Sequence, residues 1–242
     1  MKKAVLFFLI LSSYLFSVTL SPLTQTLDSK KNKHLIFTVY NPTKEPVAVD
    51  FKIVRLLDTD NNKEQREETT KVTFYPAQFV LGATESKKIR VRYMDSSLPK
   101  VEEVYRVIAK ELDIDVSDTK EEVQVSKVQA QVKMRFTYEG LLFIHKPNAM
   151  AVLKLDAFEI SPNREITIHL TNNGTASIVP NALHYNYLVT VGGKEYKLLD
   201  EDLRGAEFRR ILPNKTNTFY LKNIVNLPQG KIESLRIEKI EQ

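Results

Sequence analysis

The chain has 242 residues, with 35 Lys or Arg against 30 Asp or Glu and a formal charge of +5. So small a surplus does not by itself imply nucleic acid or a charged membrane surface as a partner. Cysteine is absent and glycine occurs only seven times, which excludes disulfides, cysteine metal sites and a glycine-rich phosphate cradle, and leaves apolar packing to hold the fold.

Met1 to Ser17 reads as a secretory leader. Lys2 and Lys3 supply the charged start, Ala4 to Leu11 is an uncharged apolar run, and the expected cut follows Ser17, although Leu15 is larger than usual three residues before a cut. The competing reading, a membrane anchor, is disfavoured by the shortness of the run and by the strand-like residues that begin at Val18. Loss of Lys2 and Lys3 takes the formal charge from +5 to +3. About 225 residues remain, enough for two domains of ordinary size. No later stretch is long or apolar enough for a membrane helix, so no membrane insertion of the mature chain is expected.

Strands are predicted in the first half near Val18–Leu27, His34–Tyr40, Val47–Leu57, Thr69–Tyr75, Lys87–Tyr93, Val104–Leu112 and Val123–Tyr138. Asn41-Pro42, the polar run from Asp58 and Gly82 separate several of them. The second half carries candidates near Leu141–His145, Val152–Glu159, Glu165–Thr171, Asn181–Val191, Glu195–Leu199, Glu207–Ile211, Asn217–Leu221 and Ile232–Ile240, with Gly192-Gly193 as a hairpin signal. Asp58 to Glu68 is almost wholly charged or amide and reads as a solvated hairpin tip. Asp113 to Glu122, with alternating signs, reads either as a plain exposed loop or as a lead-in that orders on binding. No segment keeps a helical period, so the class is all-β.

A weak repeat runs through this pattern. A strand ending in Asn before a turn occurs at Asn41 and again at Asn172, and a strand–turn–strand unit occurs around Leu81 and again around Leu212. Both pairs are separated by 131 residues. Two tandem immunoglobulin-like β-sandwich domains are therefore expected, 18–139 and 140–242.

One stretch stands out. From Val128 to Tyr138 apolar residues fall on every second position, with Gln129, Gln131, Lys133, Arg135 and Thr137 between them. That is the period of a strand with one wet face. The sixteen residues from Val123 would span roughly 53 Å at ~3.3 Å each, against about 17–20 Å for a usual strand, so part of it is expected to run on with an open edge. Val123 and Val125 are out of phase with the later set and are read as facing a partner, with Val128 and Ala130 extending that surface. The bland alternative is a bulged strand packed wholly on its own sheet.

Catalytic chemistry finds no support. His34, His145, His169 and His184 show no metal-binding spacing, no Gly-x-Ser-x-Gly occurs, and Glu67-Glu68, Glu102-Glu103 and Glu121-Glu122 are sequence neighbours that point to opposite faces of a strand. The chain is read as a non-enzyme without cofactor or metal.

The sequence resembles the periplasmic chaperones that assemble pili and fimbriae. The resemblance is carried by Val39-Tyr40-Asn41-Pro42-Thr43, the turn and strand from Leu81 to Val91, Ser97-Leu98-Pro99 followed by Glu102 and Tyr105, Glu111-Leu112, and Arg135-Phe136-Thr137-Tyr138. It implies two immunoglobulin-like domains, a periplasmic location, and pilus or fimbrial subunits and an outer-membrane usher as partners. It also implies that the last strand of the first domain, here Val123, Val125, Val128 and Ala130, is laid into the groove of an incomplete subunit sandwich. A basic pair would anchor the subunit's C-terminal carboxylate, and the resemblance assigns Arg135 to that role, with Lys133 beside it.

Three departures mark a divergent member. The family's second anchoring base falls on the neutral Gln25, which Lys30 or Lys31 replaces only if the first strand is shifted. Glu139-Gly140 stands where many members have Arg-Pro, and the donor residues are Val and Ala where Leu and Ile are common. The alternative reading is an exported two-domain adhesion or scaffolding protein of the same fold that donates no strand.

Overall fold

A computed structural model describes residues 18–28, 34–60, 63–114, 135–222, 224 and 226–240. They form two compact units. The first takes its described residues from Met1–Val54, Glu68–Ser97 and Tyr105–Phe143, and the second from Arg55–Glu67, Leu98–Val104 and Ile144–Gln242.

The first unit is built on two sheets. One contains β1 (Thr19–Ser21), β3 (His34–Tyr40), β8 (Ser86–Tyr93) and β6 (Val72–Tyr75), in the order β1-β3-β8-β6. The other runs β2 (Thr24–Leu27), β10 (Thr137–Ile144), β9 (Glu103–Glu111), β4 (Val47–Asp58) and β5 (Gln65–Glu67), of which β5 and the end of β4 count with the second unit, with β7 (Gln78–Leu81) also pairing β4. The expected single first strand is thus two short ones. Pro22, which has no N–H to give a ladder, separates them, and the chain changes sheets there. Alternation fills the interior: Phe37 and Val39 of β3, Ile89 and Val91 of β8, and Tyr105, Val107 and Ala109 of β9 are all buried. Phe51 bridges them, its ring 6.5 Å from Phe37 and 5.4 Å from Phe74.

The second unit pairs β11 (Leu153–Ile160), β12 (Ile166–Asn172) and β15 (Thr216–Leu221) in one sheet, and β14 (Lys194–Lys197), β13 (Tyr185–Val191) and β16 (Ile232–Lys239) in another. Ile168, Leu170, Tyr187, Val189, Phe219 and Leu221 share its core. The expected strand at Glu207–Ile211 is absent but for a bridge between Ile178 and Ile211, and a short helix, α1 (Asp200–Leu203), precedes it. The Tyr187 hydroxyl donates to the Pro180 carbonyl, and burial pushes that phenol well above its ordinary range. The fold is all-β, two tandem immunoglobulin-like sandwiches.

Gln65 to Glu68 of the polar run are exposed, as expected of a solvated tip, but its start, Asp58 to Asp60, is engaged. It belongs to the second unit, where Lys215 Nζ lies 3.1 Å from Asp58 Oδ2. The Thr59 hydroxyl donates to the Arg210 carbonyl, and the Thr218 N–H reaches Asp60 Oδ1 at 3.2 Å. Glu102 is fixed in the same unit: its N–H donates to the Thr175 carbonyl at 2.8 Å, and its Oε1 accepts from the Ser177 N–H at 2.9 Å.

The repeat has a physical basis in two fully buried asparagines. Asn41 accepts from the Thr43 N–H at 3.0 Å and donates to the carbonyls of Glu45 and Gly82, both at 2.8 Å. Asn172 accepts from Gly174 and Val152 at 3.0 and 3.2 Å and donates to the carbonyls of Ala176 at 2.8 Å and Ile211 at 3.2 Å. Each amide closes its own turn and ties it to a segment distant in sequence, at Gly82 for Asn41 and at Ile211 for Asn172. Asn41→Ala and Asn172→Ala are each expected to cost about 2–4 kcal/mol, because several buried backbone groups lose their partner at once. Urea unfolding followed by tyrosine fluorescence and circular dichroism checks this; a loss under about 0.5 kcal/mol at both sites would contradict it.

Candidate functional site

The described part of the site begins at Arg135, just before β10. The alternation expected from Val128 onward continues here: Phe136 and Tyr138 are half-buried and Gly140 and Leu142 buried, while Arg135, Thr137 and Glu139 are exposed. Backbone pairing to the end of β9 begins at once, with the Glu111 N–H donating to the Phe136 carbonyl at 3.2 Å. The Phe136 N–H in turn donates to Glu111 Oε2 at 3.3 Å.

The Arg135 guanidinium pairs with the carboxylate of Asp113, a side chain 86% exposed. On the other side of β10 lies β2, and the carbonyl of Leu23, just before β2, accepts the Leu141 N–H at 2.7 Å. Gln25 of β2 is half-buried and its Nε2 donates to the Ile36 carbonyl at 2.6 Å. Within its described residues β10 therefore lies between β9 and β2. Val123, Val125, Val128, Ala130 and Lys133, and likewise Lys30 and Lys31, lie outside the described residues.

The Glu139-Gly140 departure acquires a local meaning. Glu139 pairs with Arg106 of the neighbouring β9 at 3.4 Å. A Cβ on Gly140 would sit 2.7 Å from the Leu23 carbonyl oxygen, so the absence of a side chain is what lets β2 lie against β10. Two further residues escaped the sequence reading. Asp113 belongs to a charged lead-in in the sequence, and only its pairing with Arg135 in the fold marks it as a partner. Glu111 was read as the end of a strand, yet its carboxyl is 8% exposed as a residue and hydrogen-bonded to backbone on both oxygens.

Elsewhere, a cleft of about 370 Å³ in the second unit is lined by Arg209, Phe219, Tyr220 and Lys222 among others. Its two cations already lie over rings, Arg209 over Phe219 and Lys222 over Tyr220, each at 5.8 Å. Among the described residues no cluster of His, Asp and Glu side chains suits a metal ion, and no helix is long and apolar enough to cross a membrane.

Residues 17–150 match the family described as pili and flagellar-assembly chaperone, PapD N-terminal domain. The chain belongs to that family. On that footing it is a chaperone and not an enzyme. No curated protein matches the sequence. Among solved structures, a chain of a chaperone–tip adhesin complex of CFA/I fimbriae is 17% identical, with 93% of this chain and 98% of that one covered and a TM-score of 0.55. A chain of the CsuC–CsuE chaperone–tip adhesion subunit pre-assembly complex from Acinetobacter baumannii is 16% identical, covering 84% and 90%, with a TM-score of 0.55. A chain of the Salmonella enterica SafA pilin–SafB chaperone complex is 13% identical, covering 94% and 98%, with a TM-score of 0.52. At these identities the likeness is one of fold.

Gly140→Ala is expected to push β2 off β10 and to destabilise the first unit by about 1–3 kcal/mol, the usual cost of forcing an atom into filled space. Denaturant unfolding reads this directly, and an unchanged midpoint would show that β2 yields without loss.

Proposed function

We propose that this protein is an exported chaperone, working in the periplasm, that caps pilus or fimbrial subunits by strand donation. Residues Val123, Val125, Val128 and Ala130 are laid into the open groove of an incomplete immunoglobulin-like subunit. Arg135, with Lys133 beside it, holds the subunit's C-terminal carboxylate. Release follows when another subunit's strand takes the place of the donor at an outer-membrane usher. The observation that carries the reading is the family match over residues 17–150, which spans the donor stretch and the anchoring base together. Three of the chains with the same fold come from complexes of a chaperone with a tip adhesin, an adhesion subunit or a pilin.

The magnitudes assign each part a share. Burying Val123 and Val125 contributes roughly 1.5–3 kcal/mol each, whereas a nanomolar complex needs about 12 kcal/mol net of the costs of association. A main-chain ladder and a charged anchor must supply the difference. The Arg135–Asp113 pair suits an anchor in waiting: an ion pair with so exposed a carboxylate contributes about 0–1 kcal/mol and gives way readily. A subunit carboxylate gripped in its place by a two-pronged guanidinium, with solvent partly excluded, is held more firmly. Gln25 carries no charge and adds at most a neutral hydrogen bond to this anchor.

Co-expression with a pilin-like subunit tests the proposal. Arg135→Ala and Val125→Glu are each expected to weaken capture at least ~10-fold, a loss of about 1.4 kcal/mol or more. Unchanged capture in both variants would end the strand-donation mechanism and leave the reading of a two-domain protein that donates no strand. Asp113→Ala removes the competitor for Arg135 and is expected to leave capture intact or tighten it by up to about 5-fold. A marked weakening measured by titration calorimetry would contradict the role given to that pair.

A further inference from the structure

Glu111 closes β9 with a carboxyl group that is turned inward and only 8% exposed as a residue. Its Oε2 takes the Phe136 N–H at 3.3 Å and its Oε1 takes the backbone nitrogen of Val18 at 3.1 Å. Val18 is completely buried, and β1 begins at the next residue. The nitrogen on Oε1 therefore belongs to the residue with which the mature chain starts if the leader is cut after Ser17.

That coincidence changes the chemistry of the contact. In the precursor the nitrogen of Val18 is an amide with one N–H and no charge. Hydrolysis of the Ser17–Val18 bond consumes one water: the hydroxyl completes the carboxyl group of Ser17 on the departing leader, and the hydrogen completes a primary amine on Val18. At neutral pH an α-amino group takes up a further proton from solvent. The same atom then carries three donors and a unit positive charge beside a carboxylate. Hydrogen bonds between two charged groups are roughly twice as strong as neutral ones, and the buried setting weakens screening by salt.

We propose that Glu111 is the receptor for the α-ammonium group that leader removal creates, so that processing itself installs a buried ion pair. Through its second oxygen the same carboxylate holds Phe136, one residue from Arg135. The mature N-terminus thereby becomes a positioning group for the point at which the anchoring base rejoins the fold. Burial of Val18 also sets an order of events: a peptidase has to act before the first unit closes, and a chain that keeps its leader folds without the ion pair. The proposal rests on export and on cleavage after Ser17, and it is independent of strand donation.

The test uses four forms of the full mature chain: one beginning at Val18, one with a single Gly placed before Val18, and the Glu111→Gln version of each. The Gly extension keeps an amide N–H on Val18 but moves the charge away. It is expected to lower the Tm by about 5–10 °C when Glu111 is present and by much less in the Glu111→Gln background. Reductive methylation of the α-amine, read by mass spectrometry of the N-terminal peptide, is expected to be at least ~10-fold slower in the folded Val18 chain than in its Glu111→Gln variant or in urea. Equal Tm losses in both backgrounds, an α-amine that reacts as fast folded as unfolded, or an exported protein whose N-terminal sequence starts at another residue would each overturn the proposal. Should Glu111→Gln fail to fold, the two Glu111 chains and the comparison with urea still decide it. Failure of subunit capture, by contrast, leaves all these readings unchanged.

Discussion

A carboxyl group buried in a sandwich must find hydrogen-bond donors, because burying it bare costs several kcal/mol. Glu111 meets that demand with two backbone N–H groups from distant parts of the chain: Val18, 93 positions earlier, and Phe136, 25 positions later. A single side chain thus ties the residue before β1 and the residue before β10 to the end of β9. β10 starts directly after Phe136, β2 lies against β10 because Gly140 has no side chain, and Arg135 stands just before the strand. The candidate site is built on backbone geometry, with side chains closing the ends.

The second unit repeats the architecture with a different emphasis. Asn41 and Asn172 do the same work 131 residues apart, each spending a fully buried amide on the backbone of its own turn and of a turn distant in sequence. Buried asparagine is tolerated only when both ends of the amide are matched, which makes it a sharper marker of the repeat than the apolar residues around it. The second unit also takes in Asp58, Thr59 and Asp60, whose oxygens are used by Lys215, Asn217 and Thr218.

Much of this was legible in the residues. Period-two alternation gave most strands, the Asn repeat and turn chemistry gave two sandwiches, and the even-inward phase expected through Tyr138 continues into Gly140 and Leu142. What escaped was set by contacts rather than by local pattern. The end of one candidate, Thr137-Tyr138, and the start of another, from Leu141, belong to one strand, because Gly140 reads locally as a break but serves as the place where β2 lies close. The polar run from Asp58 is exposed at Gln65 to Glu68, as charge normally is, but nothing in its composition announces the partners that Thr59 and Asp60 find on β15. At the site, exposure of Arg135 was readable from the alternation, whereas its pairing with Asp113 and the double use of Glu111 depend on residues 22 and 25 positions apart that only the fold brings together.

The functional account joins this frame to a family whose members are chaperones of pilus assembly. The proposed anchor, engaged in a weak, exposed ion pair, and the proposed donor surface of small apolar residues would suit a chaperone that holds its client firmly enough to protect it and loosely enough to pass it on. Hydrogen exchange of the backbone amides from Val123 to Ala130, measured in the free protein and in complex with a pilin-like subunit, tests this most directly. The account predicts that alternate amides along this stretch gain strong protection on binding, as a new ladder forms along one edge. Amides whose exchange is unchanged by a bound subunit would contradict it.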